Sequence, residues 1–273
     1  MNTILVPTDF SETARNASRY AFEFARHVSA TKIVLYNAYQ APYAGDPTLP
    51  VVQLFDFEEV KKSSTERLES FRRELLPVAP EGLAVETRST FAILAGNIEE
   101  TCEETAADLI LMGITGGSGL DVLIGSNTLS VAEQSKVPVI IVPSNAVYRP
   151  IQKLLLVLDN NKVAHSGPVK WIKKMIDETG ARLQVLNIDH SRNTPDNGVL
   201  REALSDYDPE YHHVDYNSFW EATNNFAGKQ QVDMIIVIQK KHGFFDNIFR
   251  HNHTKELAFH THVPLMCISE QSR

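Results

Sequence analysis

The chain carries one set of landmarks twice, in the same order. Ile4-Leu5-Val6 runs out to Asp9, and Leu154-Leu155-Leu156-Val157-Leu158 runs out to Asp159. From Asp9 to Asn37 is 28 residues, and from Asp159 to Asn187 is also 28. Further on, Ala107-Asp108-Leu109-Ile110-Leu111-Met112 is matched by Val232-Asp233-Met234-Ile235-Ile236-Val237. Each half then closes on Val-Pro and an apolar run, Val137-Pro138-Val139-Ile140-Ile141-Val142 and Val263-Pro264-Leu265-Met266-Cys267-Ile268. The gap from Asp to that Pro is 30 residues in the first copy and 31 in the second. The middles are unequal: Asp9 to Asp108 spans 99 residues, Asp159 to Asp233 only 74. A sequence built this way folds as two related units, the second one shorter.

Within each half, short apolar β-branched runs alternate with amphipathic stretches. Runs with few polar breaks are strands buried on both faces, as in a parallel sheet. In the first half these fall at about 3–8, 32–38, 83–89, 108–113 and 138–142. Between the first two, Ala14, Ala17, Ala21, Phe24, Ala25 and Val28 line one helical face, with Ser11 as N-cap. Residues 56–76 read as a charged helix, Gly96-Asn97 as the start of another to about 106, and Gly125-Ser126-Asn127 as the start of a last one to about 136. Alternation of this kind gives right-handed crossovers and an α/β, doubly wound parallel sheet, here built twice in tandem. The expected domains are 1–145 and 152–273, joined by a linker at 145–152 with Pro143 and Pro150 around it.

Charge narrows the partners. The formal net charge is −8, and residues 1–150 hold 12 Lys+Arg against 19 Asp+Glu. That excludes the basic footprint of a nucleic-acid binder, and a lysine stripe for acidic lipid is not visible. A phosphate ligand is still compatible with an acidic half, because backbone N–H groups can hold it. No apolar run reaches the ~18 residues of a membrane span. The first residues, Met1 to Pro7, read as a strand and not as a signal peptide. Two cysteines, Cys102 and Cys267, are too few for a disulfide scaffold. A cytoplasmic protein without nucleic-acid or membrane partners is expected.

A doubly wound sheet binds ligands beyond the carboxyl ends of its strands, where the strand order reverses. Two segments lie there. One is Pro7-Thr8-Asp9-Phe10-Ser11. A carboxylate at Asp9 can accept from a ribose hydroxyl or an adenine amine, or can simply sit ahead of a helix, favoured by its dipole. The other runs from Met112-Gly113-Ile114-Thr115-Gly116-Gly117-Ser118-Gly119 to Gly125-Ser126-Asn127-Thr128. Five of the chain's 13 glycines fall between 113 and 125. Glycines let successive N–H groups converge on an anion, and a helix N-terminus at Ser126 adds free N–H groups and a favourable dipole. A flexible loop followed by an ordinary cap is the plainer reading. A Walker loop is excluded, since Ser126-Asn127 and not Lys follows Gly125. A dinucleotide fingerprint belongs after the first strand, where no glycine occurs.

With these residues in view, the chain resembles the universal stress protein family. The resemblance is carried by Ile4 to Ser11, by Ala107 to Gly113 with Gly116 and Gly125-Ser126, and by Val137 to Pro143. It covers nearly all of the first half and the ends of the second, and the duplication is similar to the family's tandem form. It implies an adenine nucleotide α-hydrolase-like, Rossmann-like fold with the halves arranged as a pseudo-two-fold pair. It also implies an adenine nucleotide, ATP with AMP or ADP as alternatives and Mg as a companion ion, on Pro7, Thr8, Asp9, Ala38, Met112, Gly113, Thr115, Gly116, Gly119, Gly125, Ser126 and Asn127. The ATP-binding members carry Gly-x2-Gly-x9-Gly-Ser/Thr. Here Gly113-x2-Gly116 matches, but eight residues separate Gly116 from Gly125. In the second half, Ile238, Lys241, His251 and Asn252 stand where Gly113, Gly116, Gly125 and Ser126 would be, so one nucleotide site per chain is expected.

Other features carry less. Five of the ten histidines lie in 242–262, but His253 and His260 are seven residues apart, too wide for chelation by one helix. No nucleophile–base pair emerges, because His27 is the one histidine before residue 150 and belongs to the first helix. Glu99-Glu100 and Glu103-Glu104 read as a solvated helix face. The function this supports is a nucleotide-gated stress-response regulator with a protein partner not named by the sequence. A weak ATP-hydrolysing or nucleotidyl-transfer enzyme and a nucleotide-independent scaffold are the alternatives. Residues 39–57 read as a flap over the nucleoside. The closing strands are expected to pair antiparallel within the chain, with a homodimer through them as the competing assembly.

Overall fold

The structure is a computed structural model, and the described residues are 1–40, 56–114, 126–159, 166–189, 198–215, 219–239 and 263–272. The first half runs β1 (Thr3–Pro7), α1 (Glu12–His27), β2 (Lys32–Tyr39), α2 (Phe57–Leu75), β3 (Ala84–Phe91), α3 (Leu94–Thr105), β4 (Leu109–Ile114), α4 (Ser126–Gln134) and β5 (Val139–Pro143). The second runs β6 (Lys153–Asp159), α5 (Ser166–Thr179), β7 (Arg182–Asp189), α6 (Gly198–Ala203), β8 (Glu210–Asp215), α7 (Phe219–Gln230), β9 (Met234–Gln239) and β10 (Leu265–Ser269).

Local chemistry sets most of these bounds. The Ser11 hydroxyl caps α1 by accepting from Ala14 N–H, as expected, and Arg26 and His27 sit in the last turn where the dipole favours them. The Asp56 carboxylate accepts from Glu58 and Glu59 N–H and starts α2 one residue later than the periodicity indicates. Helix α3 starts earlier than expected, at Leu94, with Ile93 at the cap and no side-chain cap. Gly96 and Asn97 therefore lie inside its first turns. Asn97 serves the core instead: its Oδ1 accepts from the Tyr36 hydroxyl at 2.8 Å. Helix α4 ends at Gln134, two residues short of expectation.

All ten strands form one sheet in the order β3-β2-β1-β4-β5-β10-β9-β6-β7-β8. Each half has the order 3-2-1-4-5 in its own numbering and is parallel throughout. The halves meet where β5 and β10 pair antiparallel, Leu265 opposite Ile141, Met266 opposite Ile140 and Cys267 opposite Val139. This is the pseudo-two-fold pairing expected from the two apolar closing strands. Alternation across the sheet sends Ile4 and Val6 into one core layer and Leu5 into the other. Both layers continue across the seam, with Ile140 and Met266 in the first and Val139, Ile141, Leu265 and Cys267 in the second.

The segment expected to be a linker is packed and not merely a tether. The Asn16 side-chain amide donates to the Pro143 and Ala146 carbonyls at 3.3 and 3.0 Å. Ala146 and Ile151 are buried, and the Tyr148 ring meets Tyr20 edge-on at 5.0 Å. Helix α5 reaches back to the first half, with Lys174 Nζ 3.5 Å from Asp108 Oδ2.

Candidate functional site

Strand order reverses between β1 and β4, and the carboxyl ends of β2, β1 and β4 lie side by side there. Pro7 ends β1, Ala38 is the next-to-last residue of β2, and Met112-Gly113 lie near the end of β4. The fold thus brings Pro7, Thr8, Asp9, Ala38, Met112 and Gly113 to one edge. Thr115, Gly116, Gly119 and Gly125 lie outside the described residues, as does most of the 39–57 flap, at 41–55. Ser126 is the first residue of α4, and Asn127 is exposed beside it.

The turn after β1 is built from its own polar groups. Thr8 is buried; its N–H donates to the Tyr36 carbonyl at 2.8 Å, and its hydroxyl accepts from Phe10 N–H at 3.0 Å. Asp9 is exposed, and its Oδ1 accepts from Ser11 N–H at 3.0 Å. Asp9 precedes the N-cap by two residues, so it is not a first-turn helix residue. Phe10 has φ 67°, a left-handed conformation that a bulky residue adopts only when its surroundings hold it. Those surroundings are explicit. Arg15 Nη1 donates to the Phe10 carbonyl at 2.6 Å, the Arg67 guanidinium stands 4.4 Å over the ring, and Phe71 meets it edge-on. The result is a fixed turn that presents the Asp9 carboxylate to solvent.

Three residues that carry this edge were not singled out as site residues from the sequence. Asn37, seen there as a repeat landmark, donates from Nδ2 to the Thr8 carbonyl at 2.7 Å, and its Oδ1 accepts from the Ser64 hydroxyl at 2.7 Å. Thr128, in the first turn of α4, donates from its hydroxyl to the Gly113 carbonyl at 3.0 Å. Thr13 explains Gly113: a Cβ there would stand 2.7 Å from both the Thr13 carbonyl oxygen and its Cγ2. Gly113 is thus required for the close approach of α1 to β4, which is a packing demand separate from any ligand.

Among the described residues there is no group of His, Cys, Asp and Glu able to hold a metal. His27 ends α1, at the opposite end of that helix from Asp9, with Nε2 3.5 Å from the Thr179 carbonyl. The 242–262 histidines lie outside the described residues. Of the paired glutamates, Glu99 is not simply solvated: it accepts from Lys136 N–H at 2.5 Å and pairs with Lys136 Nζ at 3.3 Å. No described helix is long and apolar enough to cross a membrane.

A doubly wound α/β sheet built twice, with its polar turn and its glycine strand end at the first half's switch point, defines a class of protein before any comparison. The model of the universal stress protein family matches residues 1–143, and the chain belongs to that family. Universal stress protein MJ0531 of Methanocaldococcus jannaschii is 30% identical over 141 residues, covering 51% of this chain and 80% of that protein. Universal stress protein MJ0577 of the same organism is 29% identical over 154 residues, covering 51% and 93%. Over the whole length, the chain has the fold of a universal stress protein from Archaeoglobus fulgidus, at a TM-score of 0.73 and 20% identity, covering 98% of this chain and 96% of that one.

Proposed function

We propose that the first half binds an adenine nucleotide, ATP, across the carboxyl ends of β2, β1 and β4. The observation that carries this is the convergence of an exposed Asp9, the small Ala38 and Gly113 on three adjacent strand ends where strand order reverses. Asp9 Oδ2 accepts from a ribose hydroxyl, and Ala38 leaves room for the nucleoside. Met112, Gly113, Thr115, Gly116, Gly119 and Gly125 lead to the start of α4, where Ser126 and Asn127 offer the phosphate side, with Mg as companion ion. Among the described residues the second half offers no equivalent, since Ile238 stands at the place of Gly113 and is buried. Domains at 1–145 and 152–273 follow from this division.

The protein acts as a cytoplasmic regulator. Phosphate contacts order the glycine loop and the start of α4, and a protein partner reads that surface. Mass spectrometry of nucleotide released from the denatured protein tests the ligand. Added ATP and Mg is expected to stabilise the fold by about 2.7 kcal/mol at about 100 times Kd, and Gly116→Val is expected to abolish that shift. An unchanged shift in Gly116→Val, or no released nucleotide and no shift in the parent chain, overturns the reading.

A further inference from the structure

The two halves carry an equivalent aspartate, and among the described residues only one of the two has a protein cation. Asp108 N–H donates to the Thr3 carbonyl, and Asp108 Oδ2 accepts from Asn2 N–H at 2.8 Å. Asp233 repeats this: its N–H donates to the Lys153 carbonyl, and its Oδ2 accepts from Gln152 and Lys153 N–H at 2.8 and 2.9 Å. Lys174 Nζ from α5 then adds a cation to the same Oδ2 of Asp108 across the seam, at 3.5 Å, while Asp108 Oδ1 is buried without a hydrogen-bond partner. The helix facing Asp233 is α1, and the residue 150 positions before Lys174 is Phe24, which is fully buried. Among the described residues no lysine or arginine pairs with Asp233, and its Oδ1 takes no hydrogen bond.

In place of a lysine there is a pocket of about 300 Å³. It lies between α1, the segment joining the halves and the amino ends of β9 and β10. Its polar lining is Tyr20, Asn145, Asp233 and Arg149; Val232, Pro264 and Ala146 give it an apolar floor. Arg149 is exposed and makes no ion pair among the described residues. Burial raises the Tyr20 pKa, so its hydroxyl stays a neutral donor. A volume of this order suits a small metabolite.

We propose that this seam pocket binds a small zwitterion of the α-amino-acid class, its ammonium on Asp233 Oδ1 and its carboxylate on Arg149. The ammonium takes the part that Lys174 Nζ plays at Asp108. The guanidinium holds a carboxylate in its two-pronged geometry. The apolar floor receives the ligand's side chain. The site lies along the same edge of the sheet as the carboxyl ends of β1 and β4, because β10 runs antiparallel to β5, and it is set apart from them by the width of β5 and β10.

The test uses the full chain. Each common L-α-amino acid is titrated by calorimetry and by thermal shift, with propylamine and propionate as single-charge probes. One or more amino acids is expected to bind at one per chain and raise Tm, while neither single-charge probe does so at the same concentration. Arg149→Gln, at an exposed position, and Asp233→Asn, which keeps an acceptor for the two backbone N–H groups, are each expected to weaken binding about tenfold or more. Lys174→Met is expected to leave it unchanged. The proposal is overturned if no amino acid binds, if propylamine or propionate binds as well as the amino acid, or if Arg149→Gln binds it undiminished.

Discussion

The side-chain amide of Asn37 crosses from β2 to donate to the carbonyl oxygen of Thr8, 2.7 Å away, and so ties the second strand to the turn after the first. The same side chain accepts from Ser64 on α2 at 2.7 Å, and the Ser64 hydroxyl lies 2.5 Å from that of Ser89 on β3. One buried amide thereby joins the turn, a helix and the outer strand. Asn37→Leu is expected to destabilise the fold by about 1–3 kcal/mol, because it leaves the buried Thr8 carbonyl without a partner. Equilibrium unfolding in urea checks this. The same variant is expected to weaken the ATP-induced thermal shift, since the turn holding Asp9 loses its tie.

Gly113 gives a sharper expectation about packing. A methyl group there meets the Thr13 Cγ2 and, at the same 2.7 Å, the Thr13 backbone carbonyl, which no side-chain rotation can move aside. Gly113→Ala is expected to destabilise the nucleotide-free protein by about 1–3 kcal/mol as α1 is pushed off β4. Thermal unfolding without ligand measures it. A loss that appears only in the presence of nucleotide would contradict the packing role.

Periodicity made the fold legible, because strands buried on both faces and helices with one apolar face leave unmistakable patterns at Ile4–Val6, Ile33–Leu35 and Ala14–Val28. The closing strands were legible for the same reason: Val139–Val142 and Leu265–Ile268 are apolar on both faces, and each buries its open edge against the other. Helix starts were legible where a side chain caps, at Ser11, and illegible at α3, where Ile93 caps without a side-chain bond and Asn97 is committed to Tyr36. At the candidate site, Asp9 and Gly113 could be placed by their position after strands. The ties through Asn37, Thr128 and Thr13 depend on which strands are neighbours, and spacing along the chain does not encode that.

The two thiols set an alkaline limit. Burial, with Glu99 and Glu103 adding to it, pushes the Cys102 thiol from an ordinary 9.0 up to about 12. Burial alone raises Cys267, which lies in β10 at the seam. A raised pKa means that the folded state keeps a proton that the unfolded chain releases. Stability is therefore full below about pH 9 and falls as pH rises from there toward 12, at no more than about 1.4 kcal/mol per pH unit for each thiol. Urea midpoints measured from pH 8 to 11 are expected to decline accordingly, and a Cys102→Ala variant is expected to decline less steeply. Both thiols are expected to be inert to a thiol reagent at pH 8 in the folded chain and to react on unfolding. Rapid labelling of the native protein would contradict this.

The seam between the halves is the last point of test. Ile140 and Met266 face each other in register across β5 and β10, and both are fully buried. Ile140→Asp places a carboxylate with no partner in the middle of the ten-stranded sheet. It is expected to destabilise by about 4 kcal/mol or more, against about 0.5–1.5 kcal/mol for Ile140→Val. The same seam governs what the halves do when separated. With β5 and β10 uncovered, fragments 1–148 and 149–273 each expose an apolar edge strand that the intact chain buries. Each is expected to aggregate or self-associate alone, and mixing is expected to yield a one-to-one complex by light scattering. Two fragments that stay monomeric and ignore one another would show that the seam contributes little. In the intact chain β3 and β8 are the strands left at the edges of the sheet, so an antiparallel homodimer through β5 or β10 would first require the two halves to part.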